Sequence, residues 1–350
     1  MSNKILVDVM DAKQFDAGTK ARNDVMNILT AAGFEPTITF YRTHGTIRRM
    51  IEALGASVKV FKNLREGEMI LLQYPYHVTI MNLFLKRIAK YKKRVDCKLV
   101  ILVHDVSYLR GESYVKGGLE KMKEVEISFF NQVDALIVHN AAMREKLKAD
   151  GVTAEMYELG VFDYLYDGES AHIPEGTQTE IVFAGNLKTE KSAFLYQVPL
   201  LKNIKFNLYG QHFEQERSSL DYKGNFAPDD LIQNLSGHYG LVWDGNSTES
   251  CEGAYGGYLK FNNPHKFSLY ITAGLPVVVW RQSALAKFAE ERGVGIVIDR
   301  LSDLEHLPNA QSEEYKNMQQ RVRVLACDLK EGKMLTNVIQ QIMANGLIRK

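Results

Sequence analysis

The chain has little of what marks several large functional classes. Its cysteines number three, Cys97, Cys251 and Cys327, far apart and without metal-ligand spacing. That excludes a disulfide framework and points to a reduced, cytoplasmic compartment. A dominant charge is also missing: the formal net charge is +1, which removes the electrostatic case for a nucleic-acid partner. No run is long and apolar enough to span a bilayer, and the strand-like start KILVDVM has no basic segment, apolar region and cleavage site of a signal peptide.

Motifs are absent too. There is no G-x-x-x-x-G-K-[ST], H-E-x-x-H, G-x-S-x-G or paired C-x-x-C. The G-x-G at Gly293-Val294-Gly295 runs into a strand and lacks a third glycine, so it is not a dinucleotide fingerprint. D-x-D does not occur, which disfavours a carboxylate-held metal carrying a nucleotide diphosphate. No metal site and no cofactor are expected.

What is present is a chain of 350 residues, 45% hydrophobic, long enough for two domains with separate cores. Strand-length apolar runs alternate with helix-period segments, the signature of α/β architecture with parallel sheets. The first series has strands at Ile5–Val9, Thr37–Tyr41, Met69–Tyr74, Leu99–His104, Ala135–His139 and Met156–Leu159. After a polar stretch, Asp167–Thr179, a second series runs through Ile181–Ala184, Phe206–Tyr209, Gly240–Trp243, Val277–Trp280 and Gly295–Ile298. This predicts two Rossmann-like, doubly wound domains, 1–165 and 166–350, whose strand ends face one another across a cleft. The helical tail Glu313–Ala344 is expected to pack back on the first domain, and its amphipathic character suits a homo-oligomer.

The segment YLKFNNPHKFSLYITAGLPVVVW, Tyr258 to Trp280, reads as loop, helix, turn and buried strand. Asn262 and Asn263 can cap a helix, Pro264 suits its first position, and Gly274 its left-handed exit. The free amides at that helix start, beside His265 and Lys266, favour a phosphate or diphosphate. The same cap pattern also occurs on helices that bind nothing. The approach is glycine-rich: Gly253, Gly256 and Gly257 admit a close ligand, with the rings of Tyr255 and Tyr258 for a sugar or base.

Polar groups cluster after other strands, where open α/β sheets place their chemistry. Asp16-Ala17-Gly18-Thr19 leads into the first helix and suits the far end of a donor phosphate or the acceptor. His104-Asp105, followed by Tyr108-Leu109-Arg110-Gly111, combines a histidine with a carboxylate able to deprotonate a hydroxyl. His139-Asn140 follows the fifth strand and reads as structural. Gly185 and Asn186 admit a diphosphate, and Lys188 or Lys191 can neutralise a departing nucleotide. Asn225 and Phe226 suit a nucleobase, although a Phe before a Pro-started helix is also a hydrophobic staple. Asp244, closing the strand of Trp243, suits sugar hydroxyls.

Three stretches carry a family resemblance: DAGTKARNDV from Asp16, HDVSYLRG from His104, and GLVWDG with GYLKFNNPHKFSLYITAGLPVVVW from Gly240 to Trp280. With their spacing they resemble bacterial GT-B sugar transferases, among them the β-1,6-galactofuranosyltransferases of cell-surface polysaccharide assembly. A more distant likeness is to the streptococcal glucosyltransferases of serine-rich adhesins, which use UDP-glucose. The resemblance implies a UDP-sugar donor held by the second domain, a glycan acceptor held by the first, and inversion at the anomeric carbon. Asp105, or alternatively Asp16, would then be the base, with His104 orienting it or touching the donor. Where many GT-B enzymes carry glutamate at the donor helix, this chain has His265-Lys266. A UDP-sugar epimerase and a non-catalytic sugar-nucleotide binder remain open on the same architecture. The basic, amphipathic Asn82–Arg94 suits peripheral contact with an anionic membrane bearing lipid-linked acceptors.

Overall fold

The computed structural model describes residues 4–10, 17–41, 51, 55, 64–75, 90–91, 94–215 and 217–345. Asp16 and most of Asn82–Arg94 lie outside the described residues. The chain forms two compact units, Met1–Gly160 with Lys333–Lys350, and Val161–Gly332. The break after Gly160 precedes the expected position at 165 because the aromatic residues between them pack within the second unit. Ser268 Oγ donates to the Phe162 carbonyl at 2.6 Å, and His265 stacks on Tyr164 with ring centroids 4.9 Å apart.

The first unit holds a parallel sheet of β1 (Lys4–Met10), β2 (Phe34–Tyr41), β3 (Met69–Tyr74), β4 (Lys98–Val103), β5 (Ala135–Val138) and β6 (Glu155–Glu158), in the order β2-β1-β3-β4-β5-β6. Its helices include α1 (Ala17–Ala31), α2 (Gly118–Phe130) and α3 (Ala141–Ala149). Asn140 starts α3 by accepting the Met143 amide at 2.9 Å. β3 and β5 are buried along their whole length, and β4 is buried but for Lys98, which is why they read as unbroken apolar runs rather than alternating ones.

The second unit holds β7 (Thr179–Ala184), β8 (Ile204–Tyr209), β9 (Leu220–Gly224), α4 (Pro228–Asn234), β10 (Tyr239–Val242), α5 (Gly253–Tyr258), α6 (His265–Thr272), β11 (Val277–Trp280), α7 (Leu285–Arg292), β12 (Gly295–Ile298) and α8 (Glu313–Lys330). All six strands are parallel, in the order β12-β11-β10-β7-β8-β9. This is the doubly wound dinucleotide-fold order, which reverses between β7 and β10; the first sheet reverses between β1 and β3. β9 has no counterpart in the sequence reading: at the sheet edge, LDYKG buries only its first residue and carries no apolar run.

The last helix, α9 (Lys333–Ala344), packs against α1 and β6, whereas α8 packs against α6. Among the described residues no helix is long and apolar enough to cross a membrane.

Candidate active site

The reversal of the second sheet sets the ends of β7 and β10 side by side, and α6 begins next to them. Tyr270 fixes that helix. A Cβ on Gly240 would stand 2.1 Å from the Tyr270 ring, so glycine in β10 is what leaves room for the ring against the strand. The Tyr270 hydroxyl accepts the Ala184 amide at 2.8 Å, tying α6 to the end of β7.

The first turn of α6 then delivers Lys266. Its Nζ lies 2.7 Å from Asp244 Oδ1 and 4.4 Å from the centre of the Phe183 ring. A Cβ on Gly185 would come within 3.0 Å of Lys266 Cε, so the lysine crosses directly over this glycine. The two side chains are 15% and 12% exposed, a setting in which charge interacts more strongly than in bulk water. No acidic residue lies in the first turn of α6, leaving the positive helix end unopposed from within the helix. Gly185, Lys266 and the helix start thus meet at a topological switch point, an arrangement whose chemistry favours an anion. Asp244, read from sequence as a sugar ligand, has its carboxylate on Lys266.

The helix start differs from the expected one. Pro264 occupies the cap position, with φ −65° and ψ 142°, and the helix begins at His265. Asn263 is buried, and the half-buried Asn262 keeps a buried Oδ1 with no hydrogen-bond partner among the described residues. His265 lies between Tyr164 and Phe162, the latter edge-on at 6.1 Å.

Around this centre, Asn186 shapes the turn after β7. Its side chain accepts the Lys188 amide at 3.0 Å and its carbonyl accepts the Ser192 hydroxyl at 2.8 Å. The two candidate lysines separate. Lys188 is half exposed and 4.0 Å from Glu190, while Lys191 Nζ lies 5.4 Å over the Tyr255 ring and its carbonyl accepts the Gly245 amide at 3.4 Å. Lys191 is therefore the one joined to the glycine-rich wall. Tyr258 is buried, against the expectation that its face stays available; Tyr255 is the exposed ring of α5. Asn225 and Phe226 follow β9, two strands from β7, with Asn225 exposed and Phe226 6.3 Å from Tyr209.

In the first unit, Gly18 and Thr19 lie in the first turn of α1, exposed and half-buried respectively. His104 and Asp105 follow β4. His104 Nε2 is 2.6 Å from Oε1 of the fully buried Gln73, whose amide nitrogen donates to the Arg22 carbonyl at 3.2 Å. Asp105 Oδ2 accepts from Arg110 Nη1 at 2.8 Å, and Arg110 Nε is 3.4 Å from Glu112.

Two carboxylates that the sequence reading missed anchor this loop. Glu126 of α2 accepts the amides of Ser107 and Tyr108 at 2.9 Å each, and the Tyr74 hydroxyl. Burial pushes its carboxyl above the usual range, partly offset by those bonds. Asp150 accepts the Tyr108 hydroxyl at 2.7 Å; burial pushes its carboxyl up, but hydrogen bonds from Lys123, Lys146 and Tyr108 outweigh that and hold it at about 2. The available signal was a charge on an apolar stripe: Glu126 lies four residues after Met122 and three before Phe129, all buried.

Comparison with solved structures places these units in a known fold. Sucrose-phosphate synthase (tll1590) from Thermosynechococcus elongatus matches 98% of this chain and 100% of its own, with a TM-score of 0.60 at 12% identity, a likeness of fold. The two parallel-sheet units form a GT-B fold, and with its relatives they define the protein as a glycosyltransferase. Residues 3–161 match the profile "Glucosyltransferase 3-like, N-terminal domain" and residues 181–342 the profile "Glucosyltransferase 3-like, C-terminal domain". The chain belongs to the glucosyltransferase 3-like family. It is 28% identical over 336 residues to the beta-1,6-galactofuranosyltransferase WbbI of Escherichia coli (strain K12), covering 94% of each chain. It is 29% identical over 341 residues to glucosyltransferase 3 of Streptococcus gordonii, covering 93% of this chain and 94% of that protein.

Proposed function

We propose that the protein transfers galactofuranose from UDP-galactofuranose to a hydroxyl of a glycan acceptor in cell-surface polysaccharide assembly, with inversion at the anomeric carbon and without a metal. The observation that carries the donor half is Lys266, held over Gly185 at the start of α6. A departing UDP gains negative charge as its bond to the sugar breaks, and an oriented ammonium with helix-end amides stabilises that charge without a metal ion. Asn186 and Lys191 line the same approach, and Asn225 with Phe226 would meet the nucleoside. Gly18 and Thr19 would meet the far end of the donor or the acceptor.

The acceptor half rests on the first unit. Asp105 removes the proton from the acceptor hydroxyl as its oxygen attacks the anomeric carbon from the face opposite UDP. His104 orients the base or contacts the donor. Asp16 is the alternative base. The acceptor is lipid-linked in this reading, with the basic segment Asn82–Arg94 meeting the cytoplasmic membrane face and the enzyme acting as a homo-oligomer.

A second donor, UDP-glucose, is supported by the family profiles and by the Streptococcus gordonii relative. The deciding experiment measures UDP release and product with UDP-galactofuranose, generated in place by a mutase, against UDP-glucose, each with and without an α-glucoside acceptor. Acceptor-dependent transfer from the furanose donor alone is expected. Transfer from UDP-glucose instead would replace the first reading by the second, and transfer from neither would overturn both.

A further inference from the structure

We propose that Tyr114, together with Glu112 and Arg110, forms a platform for a pyranose ring of the acceptor glycan next to Asp105. The inference rests on the reading of the first unit as the acceptor-binding one. Tyr114 is 66% exposed. A single exposed aromatic is ordinary on a protein surface; what distinguishes this one is that it is held. Its hydroxyl is hydrogen-bonded to Glu112 Oε2, Glu112 Oε1 lies 3.4 Å from Arg110 Nε, and Arg110 Nη1 donates to Asp105 Oδ2 at 2.8 Å. The segment is also closed on itself by Ser113, whose Oγ is 3.2 Å from the Val115 carbonyl and 3.0 Å from that of Gly118. Two side chains, Arg110 and Glu112, thus link the candidate base to the exposed ring.

The chemistry of the set selects the ligand. A pyranose offers a C–H face, which an aromatic ring covers, and an edge of neighbouring hydroxyls, which carboxylate and guanidinium groups engage in pairs. Arg110, Glu112 and Asp105 supply one positive and two negative charges. That balance disfavours a phosphate-bearing nucleotide and suits a neutral, polyhydroxylated sugar.

The test uses the full chain with whichever donor supports transfer, and octyl α-glucoside as the varied acceptor. Tyr114→Ala should raise the acceptor KM about tenfold, equivalent to ~1.4 kcal/mol, while the donor KM and acceptor-independent donor hydrolysis stay unchanged. Tyr114→Phe, which keeps the ring but releases it from Glu112, should raise the acceptor KM by a smaller factor, about two- to fourfold, the loss of one hydrogen bond. Glu112→Gln should also raise the acceptor KM while leaving the donor KM alone. An unchanged acceptor KM in Tyr114→Ala, or an equal loss of UDP affinity, would overturn the platform. If the wild type transfers from neither donor, the functional reading fails separately, and equilibrium binding of octyl α-glucoside decides the platform: binding lost in Tyr114→Ala upholds it, and no binding to wild type, or equal binding to both, overturns it.

Discussion

The ammonium of Lys266 sits 2.7 Å from the Asp244 carboxylate, so the cation that faces Gly185 is neutralised before any phosphate arrives. An incoming diphosphate must share Lys266 with Asp244 or displace it. Asp244→Asn keeps the shape and a hydrogen bond but removes the competing charge. UDP should bind roughly threefold to tenfold more tightly, a change of about 1 kcal/mol, in an isothermal titration. Weaker binding would mean that the carboxylate is needed to aim the lysine.

Lys266→Ala removes the cation and leaves Asp244 without this partner. UDP affinity should fall at least about tenfold. The thermal midpoint should fall as well, because a buried carboxylate loses its counter-charge, and Lys266→Ala combined with Asp244→Ala should recover part of that loss. Undiminished UDP affinity in the single variant would remove α6 from the donor site.

Asp105→Asn should lower turnover by about a hundredfold or more while UDP affinity stays near wild type. Single-turnover product formation and UDP titration on the same preparation separate the two. Wild-type turnover would pass the role of base to Asp16.

Gly240→Ala places a methyl group 2.1 Å from the Tyr270 ring within a fully buried strand. The cost should be about 3 kcal/mol or more, read as a lowered urea midpoint. Because Tyr270 also ties α6 to β7, UDP affinity should weaken in the fraction that remains folded.

His139 is fully buried, and burial lowers its pKa from 6.5 to about 4 while its Nε2 bonds the Val103 carbonyl at 3.0 Å. Below pH 6.5 the unfolded chain takes up a proton that the folded chain refuses, so stability falls as pH drops toward 4. The contribution lost between pH 7 and pH 5 is on the order of 2 kcal/mol. His139→Gln should flatten that part of the urea-midpoint profile; an unchanged slope would assign the acid sensitivity elsewhere.

The parts of the fold legible in the sequence are those whose burial is symmetric. Met69–Tyr74 and Val277–Trp280 lie where their apolar runs predict, since an inner strand of a parallel sheet needs no alternation. β9 was illegible because LDYKG buries only its first residue and so carries no apolar run to mark it. In the candidate site, Lys266 and Gly185 could be picked from their positions after a strand and at a helix start. Their convergence depended on Tyr270 and Gly240, a contact between residues thirty positions apart in sequence that no local pattern encodes. Gln73, Glu126 and Asp150 were hidden for a related reason: each supports a neighbouring loop through bonds to residues remote in the chain.

The first unit is discontinuous: it includes α9, which the chain reaches only after the whole of the second unit. A ribosome therefore releases the second unit's residues, Val161 to Gly332, before the first can be completed. Until then the surface of α1 and β6 that α9 covers stays open, and Leu335, Val338, Ile339 and Ile342 have yet to be buried. A stop codon a few turns before the end would consequently damage the beginning of the protein, and a fragment ending at Gly160 would be an unfinished domain rather than a small one.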